Sequence, residues 1–348
     1  MKENVKRVFH VRYLNPPYAD ILAQRPEIRL DKLEADAPAP AAAPILSAAH
    51  AYQVSSARDE LPAPYHVHRE LLARTPNLLV VSTGGAGFDT VNVKDCTDAG
   101  VLVVNQTGGN ADAVASHVLA MVLALSKQIV QTNHALRKGT MHDRNAFTGN
   151  DIHGRTIGIV GLGNVGRRIA GLCRTLFGMQ VLAYDPYLDE KTMAERGATK
   201  VELDELMRRS DFVSINCPLD DGSRRMIGAK QFALMQKHAY FITTARGFIH
   251  DEAALADALR NKQIAGAGLD VFDKEPPPAD HPLLQFDNVI VSPHMAGVTR
   301  EARANMGKIA AEQMILTLDG KRPPRIVNPQ VWPAYQKRFE QAFGTRPE

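Results

Sequence analysis

A short apolar run, Ile157-Gly158-Ile159-Val160, leads directly into Gly161-Leu162-Gly163-Asn164-Val165-Gly166 and then into a helix-compatible stretch. Glycines at that spacing restrict what this segment can be. The first permits a tight turn, the second lets the main chain approach a pyrophosphate, and the third lets the helix pack closely on the strand. The helix N-terminus adds free N–H groups and a partial positive charge. With 25 glycines in 348 residues the pattern alone is weak, and its place between strand and helix gives it force. Asp185 ends the next candidate strand, where it can accept hydrogen bonds from a ribose diol and repel a 2′-phosphate. The local sequence Tyr184-Asp185-Pro186-Tyr187 holds no arginine, so NAD is expected and NADP less so.

The flanking pattern extends the same architecture. Candidate strands occupy residues 156–160, 180–184, 212–216, 240–243, 266–269 and 289–292, with helical stretches such as 163–176, 203–208 and 251–261 between them. Repeated strand–helix–strand order argues a doubly wound parallel sheet. Earlier in the chain, residues 8–11, 45–47, 78–82 and 101–105 read as strands. Continuous apolar runs of this kind suit strands covered on both faces. The proline- and alanine-rich residues 36–44 read as a loop. A long apolar helix is expected from Asn110 to Lys127, and a last helix over residues 299–318 precedes a proline-marked tail.

Composition narrows the class of function. A chain of 348 residues is about twice the ~150-residue guide for one domain, so two domains are expected. A net charge of +3 gives no reason to expect a nucleic-acid or membrane partner. No run approaches the ~18 uncharged apolar residues of a membrane span. Cys96, Cys173 and Cys217 have no metal-type spacing and fit free thiols in a reducing, cytoplasmic setting, so no metal is expected.

Three polar residues follow successive candidate strands, the edge where open α/β sheets bind ligands. They are Arg246, Glu275 and His294. A guanidinium can hold a carboxylate and polarise the adjacent carbonyl. An imidazole can exchange the alcohol proton, and a carboxylate beside it orients the ring and favours its protonated form. Taken singly, each fits a surface or packing role as well. Their joint placement beside a dinucleotide turn points to an oxidoreductase.

Five separate motifs stand in order along the chain: Ser82-Thr83-Gly84-Gly85-Ala86-Gly87-Phe88-Asp89, Val104-Asn105-Gln106-Thr107-Gly108-Gly109-Asn110-Ala111, the Gly154-to-Gly161 run, Ala245-Arg246-Gly247 and Ser292-Pro293-His294, supported by Gly268-Leu269-Asp270-Val271-Phe272 with Glu275-Pro276. Through them the chain resembles the D-isomer-specific 2-hydroxyacid dehydrogenase family over roughly residues 78–328. The resemblance implies a Rossmann-type NAD-binding domain over residues 106–298. It is inserted into a smaller flavodoxin-like substrate domain formed by residues 1–105 and 299–348. It also implies homodimers. Carried over residue by residue, Arg246 would bind substrate, Glu275 would pair with the base and His294 would be the acid/base. The N–H groups of Gly85, Ala86 and Gly87 would hold the substrate carboxylate. Gly161, Gly163, Asn164, Val165, Gly166, Asp185, Pro218, Ser223, Thr244, Ala245, Asp270 and Gly297 would line the cofactor, with Asp270 on the nicotinamide carboxamide.

Departures from the family pattern sharpen the expectation. The usual Ala-Glu-His of the long helix is Ala115-Ser116-His117 here, and the only tryptophan is Trp332. Members that take phosphorylated substrates carry arginines near the first substrate loops. Thr83 and the stretch Ser47-Ala48-Ala49-His50 stand in those places, which argues against a phosphorylated substrate. Glu275 stands where formate-oxidising relatives have glutamine. His50 and Tyr52 are candidate substrate contacts in the loop after the second strand. The expected activity is NAD-dependent interconversion of a D-2-hydroxy acid and its 2-keto acid, with the substrate's side chain left open. The alternatives are an NAD-sensing scaffold or corepressor on the same fold, and oxidation of phosphite.

Overall fold

The structure, a computed structural model, describes residues 5–347. Its contacts divide the chain into two units, residues 1–110 with 299–348, and residues 111–298.

In the first unit, strands β1 (Lys6–His10), β2 (Ile28–Lys32), β3 (Ala51–Val54), β4 (Val80–Thr83) and β5 (Leu102–Val104) form one parallel sheet ordered β2-β1-β3-β4-β5. This is the flavodoxin-like order. Strand side chains alternate between the two faces and feed separate cores. Phe9, Tyr52, Val81 and Val103 pack on one face, and Val8, Ala51, Val80 and Val104 pack on the other.

Several expectations fail in this unit. Residues 45–47 are not a strand, and residues 36–44 are not all loop. Helix Ala39–Ala48 runs through both stretches. Prolines at a helix start cost little because their missing N–H would be unsatisfied there, and alanine has the highest helix propensity. Burial of Ala42 and Leu46 against the sheet outweighs the interior Pro44. The tail also carries a helix, Trp332–Phe343, which buries Trp332, Tyr335 and Phe339 in the second of the two cores.

In the second unit, β6 (Thr156–Val160), β7 (Gln180–Tyr184), β8 (Thr199–Lys200), β9 (Phe212–Ile215), β10 (Tyr240–Thr243), β11 (Gly266–Leu269) and β12 (Val289–Val291) form a seven-stranded parallel sheet. Its order is β12-β11-β10-β9-β6-β7-β8. Chain direction across the sheet reverses between β6 and β9, the Rossmann-type switch point at which dinucleotides bind. Ile157 and Ile159 of β6 pack with Val118 and Val122 of helix Ala111–Ser126. Val160 faces Phe241 and Leu255 on the other side. Each fully buried side chain of this size contributes roughly 1.5–3 kcal/mol, so β6 is anchored from both faces.

Among the described residues, no single helix is long and apolar enough to cross a membrane. No cluster of three or more His, Cys, Asp or Glu side chains among them could hold a metal ion. Burial pushes the thiols of Cys96, Cys173 and Cys217 up to about 12, so none is a ready nucleophile.

Candidate active site

The carboxyl edge of the second sheet gathers most of the residues singled out above. The turn after β6 is shaped as a phosphate cradle requires. Gly161 sits at φ +90°, and a Cβ there would lie 2.7 Å from the Cys217 nitrogen. A Cβ on Gly166 would collide with the Gly161 carbonyl, so the start of helix Asn164–Phe177 can sit this close only without a side chain. Gly163, by contrast, faces open space. Asn164 and Val165 open the helix, so their N–H groups belong to the unsatisfied first turn. These residues fit a dinucleotide pyrophosphate.

Asp185 follows β7 and accepts from the Leu162 N–H at 3.0 Å and from the Tyr187 N–H at 3.0 Å. It is therefore tied to the turn while keeping acceptor capacity for a diol. Arg196 donates to the Leu162 carbonyl at 2.7 Å, which brings a guanidinium against the turn that local sequence around Asp185 does not announce. Beyond β9, Pro218 and Ser223 belong to one closed loop. The Ser223 hydroxyl donates to the Pro218 carbonyl at 2.7 Å and accepts the Asp220 N–H at 2.8 Å. That side chain shapes the loop, and its one proton is already used. Thr244 and Ala245 follow β10, and Gly297 closes the loop after β12.

Arg246, Glu275 and His294 follow β10, β11 and β12. His294 Nδ1 is 2.7 Å from Glu275 Oε2, and Glu275 Oε1 accepts the Phe272 N–H at 3.0 Å. A carboxylate on Nδ1 leaves Nε2 as the ring's working atom. The hydrogen bond to Glu275 raises the His294 pKa above its ordinary 6.5 against the opposing effects of burial and of the Arg246 charge. Burial works to raise the Glu275 pKa. The hydrogen bond and charge of His294, the Phe272 N–H and Arg246 outweigh it and hold the carboxyl below 4.5. Arg246 Nη1 donates to the Ala245 carbonyl at 2.7 Å, which folds the guanidinium back along its own turn.

Asp270 is fully buried, and its carboxylate organises the turn that carries His294. It accepts the Met295 N–H at 2.7 Å and the Ala296 N–H at 2.8 Å, and its main-chain carbonyl accepts the His294 N–H at 2.7 Å. His294 itself adopts φ +54°, an uncommon conformation for a side-chain-bearing residue and one that clusters at functional sites.

In the first unit, Gly85, Ala86 and Gly87 lie in the loop after β4. The carbonyls around them are pinned. Gln53 Nε2 holds the Thr83 carbonyl at 3.0 Å, and Asn15 Nδ2 holds that of Gly84 at 3.1 Å. Thr83 Oγ1 and the Gln106 N–H both hold the Gly85 carbonyl, and Asn105 Nδ2 holds that of Ala86 at 2.8 Å. Among the described residues, the N–H groups of Gly85, Ala86 and Gly87 donate to no protein acceptor. Successive free N–H groups beside fixed carbonyls are donors available to an anion. The supporting Asn15 and Gln53 escape sequence reading because their partners are distant in the chain, and Asn105 stands in a quoted motif that does not reveal its partner.

Two candidate contacts are corrected. Tyr52 is not in a loop. It lies within β3, fully buried, with its ring stacked 4.0 Å from Phe9 and its hydroxyl donating to the Tyr65 carbonyl. His50 precedes β3, where its Nδ1 accepts the Arg7 N–H at 3.0 Å and its ring packs against Phe343. Both are structural. Ser47 and Ala48 end a helix, so the loop comparable to a substrate loop begins at Ser55 after β3, and it carries Arg58, whose Nε donates to the Asp89 carbonyl at 2.9 Å.

Residues 119–296, just over half of the chain, match the family described as D-isomer specific 2-hydroxyacid dehydrogenase, NAD binding domain. The chain is 37% identical over 269 residues to the D-3-phosphoglycerate dehydrogenase of Archaeoglobus fulgidus, covering 77% of this chain and 51% of that one. It therefore spans about half the length of that curated relative. It is 37% identical over 276 residues to the glyoxylate reductase of Aeropyrum pernix, covering 78% and 82% of the two chains. The D-lactate dehydrogenase of Aquifex aeolicus, solved with NAD and lactic acid, superposes with a TM-score of 0.78 at 26% identity, covering 92% of this chain and 99% of that one. The chain belongs to the D-isomer specific 2-hydroxyacid dehydrogenase family.

Proposed function

We propose that this chain is an NAD-dependent dehydrogenase that interconverts a D-2-hydroxy acid and its 2-keto acid, with residues 111–298 binding the nucleotide and the other unit binding substrate. The observation that carries this reading is the His294–Glu275 pair, with Nε2 left for chemistry on the same sheet edge as the glycine turn. Bound NADH would supply the hydride to the keto carbon. His294 Nε2 gives the carbonyl oxygen its proton and is left neutral; in the reverse direction it takes that proton back. Glu275 holds the ring in the donating orientation. Arg246 binds the substrate's carboxylate and polarises its carbonyl. In the other unit, the N–H groups of Gly85, Ala86 and Gly87 are carboxylate donors.

The cofactor's phosphates are assigned to the turn at Gly161, Gly163, Asn164, Val165 and Gly166, its adenosine ribose to Asp185, and its carboxamide to Asp270. Pro218, Ser223, Thr244, Ala245 and Gly297 line the remainder. Asp185 favours NAD because a 2′-phosphate beside a carboxylate is repelled. Arg196, held against Leu162, favours a second reading in which NADPH is also accepted. Thr83 puts no positive charge beside the loop after β4, and Arg58 in the loop after β3 donates to the Asp89 carbonyl, so the reading favours an unphosphorylated acid. A homodimer is part of this reading, and helix Ile129–Lys138 exposes Ile129, Val130 and Leu136 as a face for it to cover. The mass of the protein in solution checks it.

The test is loss of NADH absorbance with glyoxylate, hydroxypyruvate, phenylpyruvate, branched 2-keto acids and the keto acid of 3-phosphoglycerate, repeated with NADPH. Turnover of an unphosphorylated member is expected. Tight NADH binding with no turnover on any member would favour the scaffold reading.

A further inference from the structure

The altered helix motif that ends in His117 has a partner in the fold. His117, on helix Ala111–Ser126, places Nε2 2.9 Å from Ser292 Oγ, and Ser292 Oγ lies 2.5 Å from Asp270 Oδ1. Asp270 Oδ1 also accepts the Met295 N–H, and Oδ2 accepts the Ala296 N–H. Both oxygens therefore act as acceptors, so the Ser292 hydroxyl must donate its only proton to Asp270. Its oxygen is left to accept, and His117 must be the donor, which fixes the ring's proton on Nε2. The ring carries that proton whether or not Nδ1 is also protonated. The chain of donation runs His117 to Ser292 to Asp270.

A carboxylate has about four acceptor sites. On Asp270, Oδ1 spends two, on Ser292 and Met295, and Oδ2 spends one, on Ala296. One site remains, on Oδ2, in a group with no exposure to solvent. The same residue's carbonyl holds the His294 N–H at 2.7 Å. An unspent acceptor on a buried carboxylate is costly unless a donor reaches it.

We propose that Ser292 and His117 are positioning residues: they lock the Asp270 carboxylate so that its one unspent acceptor meets the nicotinamide carboxamide, while the same carboxylate holds the turn that presents His294. This rests on the reading of Asp270 as the nicotinamide contact, and the relay itself touches neither substrate nor cofactor. Loosening it removes the nicotinamide's share of cofactor binding and leaves the adenosine and phosphate share intact.

The test uses the full chain and two ligands, NADH and ADP-ribose, which lacks the nicotinamide. Ser292→Ala and His117→Phe are expected to weaken NADH binding roughly tenfold, the scale set by losing one hydrogen bond to a charged group, with ADP-ribose binding unchanged. Ser292→Thr and His117→Gln keep a donor and are expected to restore NADH binding to within about twofold. Equal losses for both ligands, or unchanged NADH binding in Ser292→Ala and His117→Phe, would overturn the relay. The readout is independent of turnover. Failure of the wild-type chain to reduce any 2-keto acid would remove the proposed activity, whereas a selective loss of NADH over ADP-ribose would still establish the relay.

Discussion

The two parallel sheets put their candidate ligand groups at the same kind of edge and use opposite chemistry there. After β4 in the first unit, the loop offers main-chain N–H groups, and side chains from outside the loop pin its carbonyls. After β10, β11 and β12 in the second unit, the ligand groups are charged side chains, and the main chain is the support, as when the Phe272 N–H holds Glu275. N–H groups do not titrate and offer a fixed geometry to any carboxylate. Charged side chains can exchange protons and select for a reaction. On the proposed reading the first sheet offers the shared acid group donors that do not titrate, while the second adds the Arg246 charge and carries the proton chemistry.

The sharpest way to break this contrast is to remove a charge from the second sheet. Arg246→Ala is expected to lower kcat/KM by about 2–5 kcal/mol in transition-state binding, because a charged hydrogen-bonding partner of the substrate is lost. Steady-state kinetics on the best keto acid reads this directly, and an unchanged kcat/KM would remove Arg246 from the site.

A smaller, signed effect tests the His294–Glu275 pair. Reduction of a keto acid needs His294 protonated, so the rate falls as pH rises through its pKa, which Glu275 holds above 6.5. Replacing the carboxylate in Glu275→Gln removes the main cause that raises it, while burial and Arg246 continue to lower it. The alkaline limb of kcat/KM against pH is expected to move to lower pH, and the oxidation direction should gain at neutral pH for the same reason. The same pair bears on stability with a definite sign. The His294 contribution is present below 6.5 and fades as pH rises through the higher folded value. The Glu275 contribution is present above 4.5 and fades as pH falls through the lower one. A limb that stays put in Glu275→Gln would show that another group controls the proton.

The same contrast explains what could be read from sequence. Strands Thr156–Val160, Gln180–Tyr184, Tyr240–Thr243 and Gly266–Leu269 lie where their apolar runs place them, because burial on both faces writes a continuous pattern. The first unit hides its pattern. Edge strand Ile28–Lys32 carries Arg29 and Asp31, which pair with one another on its surface. Ala51–Val54 includes the buried Gln53, whose amide Nε2 donates to the Thr83 carbonyl 30 residues away. Charged residues after strand ends are visible in a sequence, so Arg246, Glu275 and His294 are legible as a candidate site. Residues that act by holding a distant carbonyl or carboxylate are not. Asn15 is 69 residues from Gly84, and His117 is 175 from Ser292.

The smallest expected effect falls on the main-chain side and tests whether the first sheet's role is purely geometric. Asn105 pins the Ala86 carbonyl through Nδ2, while its Oδ1 accepts the N–H and hydroxyl of Thr107. Asn105→Ala frees the Ala86 peptide to rotate, but removes no group that touches substrate or exchanges a proton. Of the three hydrogen bonds lost, only the one to Ala86 directs that loop's N–H groups, and one neutral hydrogen bond is worth about 0.5–1.5 kcal/mol, so KM for the keto acid should rise a few-fold. The maximal rate, the pH profile and NADH affinity should stay as they are, because none of these depends on that loop's N–H direction. A fall in kcat or a shifted alkaline limb in Asn105→Ala would mean that the first sheet also takes part in the chemistry, and the division of labour between the two edges would have to be abandoned.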